Sequence, residues 1–390
     1  MQNDNSKPIY FQTNLRIIFL ITLMAVLGVA SITPAFPKIA KEFNISSENI
    51  GLLIIVFTLP GIILTPLYGV LADRFGRKRV LVPSLILFGF AGTMCAFTRS
   101  YELLLIFRFI QGVGAASLGS INVTLLGDLY EGNERAAAMG YNSSVLSIAT
   151  ASYPFIGGIL ATYHWYLPFF LPLFAIPIGV IVLTKLKNPE PKKEDSLNNY
   201  LSNAFVSLKN KEAVLYFSAS LITFIILYGC YLTYIPIYLD ELFNAKPFMI
   251  GILLSSMSLT TAIVSSQLKK ITGKFNIKTL FKISFLIYGI ALFLIPLFKI
   301  YVLLFIPIII YGIAHGINIP VVQTLLANIS PLEYRGAFIS MNGMILRGGQ
   351  TLGPLLTGLV YTFNGISSVF FFGSALVISF SLLLFIKLPD

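Results

Sequence analysis

The sequence predicts an all-α membrane protein with twelve transmembrane helices, and three observations carry that expectation. Hydrophobic residues make up 56% of the 390-residue chain and charged residues 11%, with a mean hydropathy of +0.84, which lies outside the range of soluble globular domains. Twelve apolar stretches each reach or approach the roughly 20 residues a helix needs to cross a bilayer. The 27 Lys and Arg gather in alternate loops: 20 lie on the side of the two termini, five on the other side (Lys38, Lys41, Arg99, Lys246, Lys299) and two inside spans (Arg108, Arg347).

The stretches fall near 15–36, 49–72, 80–98, 103–127, 136–162, 166–185, 213–239, 249–271, 280–298, 302–328, 337–363 and 368–388. The first is read as a retained span, because no small-residue cleavage site precedes Pro37 and another span follows at once. The charge asymmetry places both termini in the cytoplasm. The net charge of +11 is then an inner-face excess suited to anionic headgroups, and no nucleic-acid partner is expected. Cys95 and Cys230 fall in spans of different halves, so two buried thiols are expected and no disulfide framework. A polar run from Lys187 to Glu212, with Pro189, Pro191, Lys192 and Lys193, separates spans six and seven. It divides the chain into an N-terminal six-helix bundle over 1–185, a cytoplasmic linker over 186–212 and a C-terminal six-helix bundle over 213–390. An offset of 200 lays Gly51 on Gly251, Gly112 on Gly312, Arg135 on Arg335, Asn142 on Asn342 and Pro154 on Pro354, which points to duplication.

Between spans two and three stands Gly69-Val70-Leu71-Ala72-Asp73-Arg74-Phe75-Gly76-Arg77-Lys78-Arg79-Val80-Leu81, a turn with five charges between two apolar runs. Gly69 lets a neighbouring helix approach closely, and Gly76 permits positive φ in a tight turn. The string resembles the signature loop of major facilitator superfamily transporters, G-x-L-a-D-r-x-G-r-k-x-x-l, at every specified position. That resemblance implies two pseudo-symmetric six-helix bundles rocking about a central site. It also implies that Asp73 sits against the N-terminal end of span eleven, near 336–340, where the helix dipole favours an anion. Arg77 is implied to pair with a carboxylate at the end of span four, for which Asp128 is the candidate, with Lys78 completing the gating loop. Such contacts would hold the halves together on the cytoplasmic side in the outward-open state. The second copy of the loop has decayed, with Gly273 at the place of Asp73 and Asn276 at that of Gly76.

Span four carries Arg108-Phe109-Ile110-Gln111-Gly112-Val113-Gly114, similar to a second family motif, R-x-x-q-G-x-g. An arginine inside an apolar helix is costly unless it faces a polar cavity or partner. Arg108, Gln111, Ala115 and Asn122 lie on one helical stripe, so these polar groups are candidates for the transport pathway, with capping of Arg108 by backbone carbonyls as the alternative. Span five reads Tyr153-Pro154-Phe155-Ile156-Gly157-Gly158, similar to the family's antiporter motif G-P-x-x-G-G with tyrosine at its first glycine. Span eleven keeps Gly348-Gly349-Gln350-Thr351-Leu352-Gly353-Pro354, closer to that pattern. Gly112, Pro154, Gly157, Gly158, Gly353 and Pro354 are accordingly assigned to helix packing.

All 16 Asp and Glu fall in loops or at span ends, so a proton-binding carboxylate at mid-span is missing. The titratable candidates are Asp73, Asp128 and His315 of span ten, which shares a helical face with Tyr311 and Asn318. Arg347 and Gln350, one turn apart in span eleven, bias the cavity positive. Tyr228, Tyr231, Tyr234 and Tyr238 occupy about a third of the circumference of span seven, where aromatic faces suit flat lipophilic ligands.

The resemblance implies a secondary transporter that exports small, lipophilic compounds, multidrug-type efflux, by proton antiport with alternating access. Its partners are then a small-molecule substrate, protons and the lipid bilayer, with the monomer as the working unit in a bacterial cytoplasmic membrane. No enzyme activity, cofactor or metal is expected, since the loops carry no nucleotide-binding glycine loop, metal cluster or nucleophile triad. One alternative is a carrier of a specific metabolite or organic anion without proton coupling, favoured by Arg347 and the missing carboxylate. Another is a transport-inactive receptor or scaffold, disfavoured because Asp73, Arg77, Arg108 and Gly112 are retained.

Overall fold

The computed structural model describes residues 9–186, 210–329 and 335–388, with the side chains of 335–337, 339 and 340 outside that description. The described residues form twelve long helices and no strand: α1 Thr13–Glu42, α2 Asn49–Phe75, α3 Arg77–Phe97, α4 Tyr101–Leu129, α5 Gly132–Tyr163, α6 Leu167–Lys185, α7 Lys211–Phe243, α8 Pro247–Ser266, α9 Ile277–Leu297, α10 Tyr301–Ile329, α11 Arg335–Asn364 and α12 Ile366–Lys387. Helix throughout is what an apolar chain in lipid requires, because every backbone N–H and C=O must be satisfied within its own segment. Eleven of the twelve are long and apolar enough to cross a membrane. The expected span over 337–363 is present as the 30-residue α11, yet Asn342, Arg347, Gln350 and a run of glycines leave it short of the same apolar character. The linker expected over 186–212 falls mainly on 187–209, outside the described residues.

Local irregularities follow the sequence. α1 passes through a 3-10 turn at Thr33–Ala35, beside Pro34, and α6 opens with a 3-10 stretch, Leu167–Phe174, containing Pro168 and Pro172. α7 widens into a π-helix over Ile226–Tyr234, where the Thr233 hydroxyl donates to the Tyr228 carbonyl at 2.6 Å. Cys95 and Cys230 are buried free thiols.

The two bundles repeat each other's packing. α4 packs on α1, α2 and α3, and α10 on α7, α8 and α9; α3 packs on α6, and α9 on α12. The offset of 200 survives at atomic detail. A Cβ on Gly112 would meet the backbone of Phe57, and one on Gly312 the carbonyl of Met257. Tyr101 donates to the Asn49 carbonyl at 2.6 Å, as Tyr301 does to that of Met249 at 2.8 Å. Thr65 donates to the Ala116 carbonyl at 3.1 Å, as Ser265 does to that of Gly316 at 2.9 Å. Asn44 and Asn244 both close their helices at φ 49°.

The bundles meet along two seams that exchange under the same symmetry, α5 against α8 and α2 against α11. Of the two ends of the molecule, the one bearing the Gly76 turn, from Asp73 to Lys78, is here termed the basic end. Toward the opposite, far end, the seams are closed by small residues. A Cβ on Gly158 would lie 3.1 Å from the Cα of Gly251, and one on Gly51 would lie 3.2 Å from the Cβ of Pro354. Toward the basic end the same helices part: a Cβ on Gly69, Gly140 or Gly343 meets nothing within 4 Å. Gly69 therefore makes no close contact with a described helix, contrary to the expectation from sequence: the space beside it is open.

Candidate functional site

The turn between α2 and α3 is built around Gly76, at φ 96° and ψ 142°, whose N–H bonds back to the Ala72 carbonyl at 3.0 Å. That backbone conformation is open to glycine and strained for other residues. It starts α3 at Arg77, and the guanidinium is buried between two carboxylates. Arg77 contacts Asp73 one turn back at 2.5 Å, and its Nε donates to Asp128 Oδ2, at the end of α4, at 3.0 Å. The triad ties α2, α3 and α4 together within one bundle. The contact expected between Asp73 and the 336–340 end of α11 falls on side chains outside the described residues. Lys78 follows in the first turn of α3.

Arg108 is fully buried inside the N-terminal bundle and does not line the gap between the halves. Its Nε donates to the Leu53 carbonyl at 3.2 Å, and one terminal nitrogen donates to the Gly28 carbonyl at 2.8 Å and to Gln111 Oε1 at 2.7 Å. The guanidinium carbon lies 4.2 Å from the centroid of the Phe57 ring. The pathway assignment of Arg108 and Gln111 is thus corrected: carbonyl capping is what the structure contains. Insertion scales put an uncompensated Arg at mid-membrane at roughly 2.5–3.5 kcal/mol, which these bonds offset. The stripe on α4 is real, but it faces the bundle interior. Asn122, also buried, donates to Thr22 Oγ1, and that hydroxyl lies 2.5 Å from Asn142 Oδ1, so α1, α4 and α5 share one polar knot.

The tyrosines of α7 do not form the single face expected from 100° per residue. The π-helical turns rotate the register, and the rings diverge. Tyr231 is buried, donates to the Leu254 carbonyl at 2.9 Å and stacks on Tyr311 at 5.2 Å. Tyr234 packs on Tyr361 at 5.3 Å, and Tyr238 donates to the Ile295 carbonyl at 3.3 Å. Tyr228 is partly exposed and stacks on Phe224 at 5.9 Å.

His315 and Asn318 of α10 are placed differently. Asn318 is buried, accepting from Thr223 and donating to Ser284, each at 3.0 Å, which knots α7, α9 and α10. His315 is partly exposed, and its Nδ1 lies 2.5 Å from the Tyr288 hydroxyl. Tyr288 was missed in the sequence. Its equivalent in the first half is Phe88, so comparing the repeats for polar departures would have singled it out.

Arg347 stands where the α2–α11 seam begins to part. Its side chain runs over Gly61, where an added Cβ would lie 3.0 Å from Arg347 Cδ, and it interacts electrostatically with Tyr228. One terminal nitrogen donates to Gln350 Oε1 at 3.0 Å, and no described carboxylate pairs with it. On its far side the Thr58 and Thr351 hydroxyls meet across the seam at 2.9 Å. The packing residues sit at close approaches: Gly112 on α2, Gly157 on Ser31 of α1, Pro154 and Gly158 on Gly251 of α8, Gly353 on α7 at Ile225 and Gly229, and Pro354 on Gly51.

A clasp between the halves at the far end, invisible in the sequence, completes the picture. Lys41 pairs with Asp240 at 2.7 Å, Ser47 donates to Glu241 at 3.2 Å, and the Phe248 N–H donates to Thr162 at 3.1 Å.

Known proteins share this arrangement. The chain is 26% identical over 382 residues to Multidrug resistance protein 1 of Bacillus subtilis (strain 168), covering 96% of this chain and 97% of that protein. A crystal structure of the nucleoside transporter NupG superposes with a TM-score of 0.76 at 17% identity, covering 97% of this chain and 100% of that one. An inward-facing, unoccupied bacterial homologue of the human lysosomal transporter Spinster superposes with a TM-score of 0.77 at 19% identity, covering 98% and 96%. The Major Facilitator Superfamily model matches residues 18–243 and 238–390, and with two six-helix bundles, exchanged seams and the complete signature turn, this chain belongs to that superfamily of membrane transporters.

Proposed function

We propose that this protein exports small, lipophilic organic compounds from the cytoplasm by alternating access, in exchange for protons. The observation that carries the reading is the asymmetry of the seams: small residues and the Lys41–Asp240 clasp close the far end, while Gly69, Gly140 and Gly343 find no neighbour toward the basic end. Such a conformer accepts a compound from one side only, and the excess of Lys and Arg around the basic end supports its being cytoplasmic. The Asp73–Arg77–Asp128 triad, at the turn that the family resemblance sets against the start of α11, is then the proposed latch of that end. The likeness to a multidrug resistance protein supports a lipophilic substrate range. With no carboxylate at mid-helix among the described residues, the Tyr288–His315 pair is the acid–base element at depth and the proposed proton carrier. The monomer contains both halves of the site.

The test is movement of a fluorescent lipophilic dye in proteoliposomes with and without an imposed pH gradient. Gradient-driven movement in the wild type, lost in Asp73→Asn and uncoupled from pH in His315→Gln, is expected. Movement independent of the gradient would remove proton exchange. A second reading, an uncoupled carrier of one organic anion, is favoured by Arg347, which lies at the seam with no described carboxylate beside it.

A further inference from the structure

Resting on the export reading above, we infer that Arg347 is an anion-recognition site at the head of the cavity, and that the preferred substrates are amphiphilic aromatic carboxylates. Four observations converge on it. Arg347 lies between the closed and open portions of the α2–α11 seam: Thr58 and Thr351 pair on one side, while Gly343 and Gly69 meet nothing within 4 Å on the other. It is partly exposed, unlike Arg108, which is fully buried and gives its Nε and one terminal nitrogen to two carbonyls and a glutamine. Its described hydrogen bond to a side chain uses one terminal nitrogen, toward Gln350, and no described carboxylate lies within ion-pair distance. The fold itself does not need a cation there, because the equivalent position in the first half, partly exposed as well, is Ser147.

The surroundings give the class of ligand. A guanidinium with donors to spare matches a carboxylate bidentately, in a geometry an ammonium cannot copy. Tyr228, on the π-helical stretch of α7 that packs against α11, is stacked on Phe224 and presents an aromatic surface on the helix next to that of Arg347. Gly61 leaves the room: a side chain there would strike Arg347 at Cδ and Nε, at 3.0 and 3.1 Å from an added Cβ. An aromatic body on Tyr228 with an anionic head on Arg347 satisfies both, and the head neutralises a membrane-embedded cation as it binds.

The experiment compares naphthylacetate with its neutral isostere naphthylacetamide, first by calorimetric binding to the purified protein and then by movement in proteoliposomes. The expected result is a preference for the carboxylate that falls by about tenfold or more in Arg347→Gln and is only partly kept in Arg347→Lys, with amide binding unchanged in both. Equal binding of acid and amide by the wild type, or an equal loss of both in the variants, overturns the anion site while leaving export of neutral dyes intact. Absence of dye movement in the wild type overturns the export reading instead, and calorimetry still scores the anion site. Displacement of the carboxylate by phosphatidylglycerol but not by phosphatidylcholine, with no carboxylate movement, would identify a lipid headgroup as the occupant and overturn the substrate assignment.

Discussion

Gly76 holds φ 96°, a backbone state whose cost for a residue with a Cβ is of order 1–3 kcal/mol, and it does so at the hinge of the Asp73–Arg77–Asp128 triad. Gly76→Ala should therefore loosen the start of α3 and lower transport by severalfold while the chain still inserts; dye flux alongside a membrane-insertion assay reads both, and undiminished flux would exclude a role for the turn geometry. Arg108 leads to a different expectation. Lysine keeps the charge but cannot reach Leu53, Gly28 and Gln111 together, and each charged hydrogen bond is worth about 1.5–3 kcal/mol. Arg108→Lys should thus depress the thermal stability of the purified protein, and activity should fall in step with folded protein; full stability would restore the pathway role. These two sites also mark what was legible in the sequence. The turn and its Asp73–Arg77 pair could be read because their spacing is short and their chemistry sits in one loop, whereas the partner Asp128, 51 residues from Arg77, was implied only by the family resemblance. The setting of Arg108 could not, because its carbonyl partners lie 55 and 80 residues away and backbone carbonyls have no sequence signature.

At the scale of elements, apolar length announced the helices and the 200-residue offset announced the repeat, since both are properties of composition and order alone. Helix register was less legible. The π-helical stretch in α7 has no proline or glycine pair to betray it, so the tyrosine face drawn at 100° per residue was wrong by the extra backbone that each wide turn takes up. The seams combine both kinds. Their glycines and prolines could be picked out by motif, but the side from which they close could not. Gly158 faces Gly251 and the Pro247 carbonyl so closely that a Cβ there would lie 2.6 Å from the oxygen. Gly158→Val should hold α5 off α8 and disfavour the far-end closure. Maleimide labelling of a cysteine at Ser143, toward the open end, should then slow relative to wild type as the population moves to the opposite conformer. Unchanged labelling with intact protein would mean that the seam tolerates the side chain and does not govern the equilibrium.

For the whole molecule, alternating access requires that the two ends not be open together, so contacts at one end are set against contacts at the other. The triad joins α2, α3 and α4 at the basic end, and Lys41–Asp240 bridges the two bundles at the far end. An exposed ion pair of this kind is worth about 0.2–1 kcal/mol, which moves a two-state balance by up to roughly fivefold and does not fix it. A small term is what a cycling transporter needs here, because a strong clasp would trap one state. Lys41→Asp places two acids face to face and should shift the balance toward the far-end-open conformer; Asp240→Lys should do the same with two bases. The double exchange Lys41→Asp with Asp240→Lys restores opposite charges and should return the balance close to wild type. Distance distributions between spin labels at the far ends of α1 and α7 report the populations directly, and high salt should shrink the differences of both single variants from wild type. Single reversals that leave the distribution unmoved would assign the closure to the glycine seams alone, with the ion pair only decorating a gate that packing already holds.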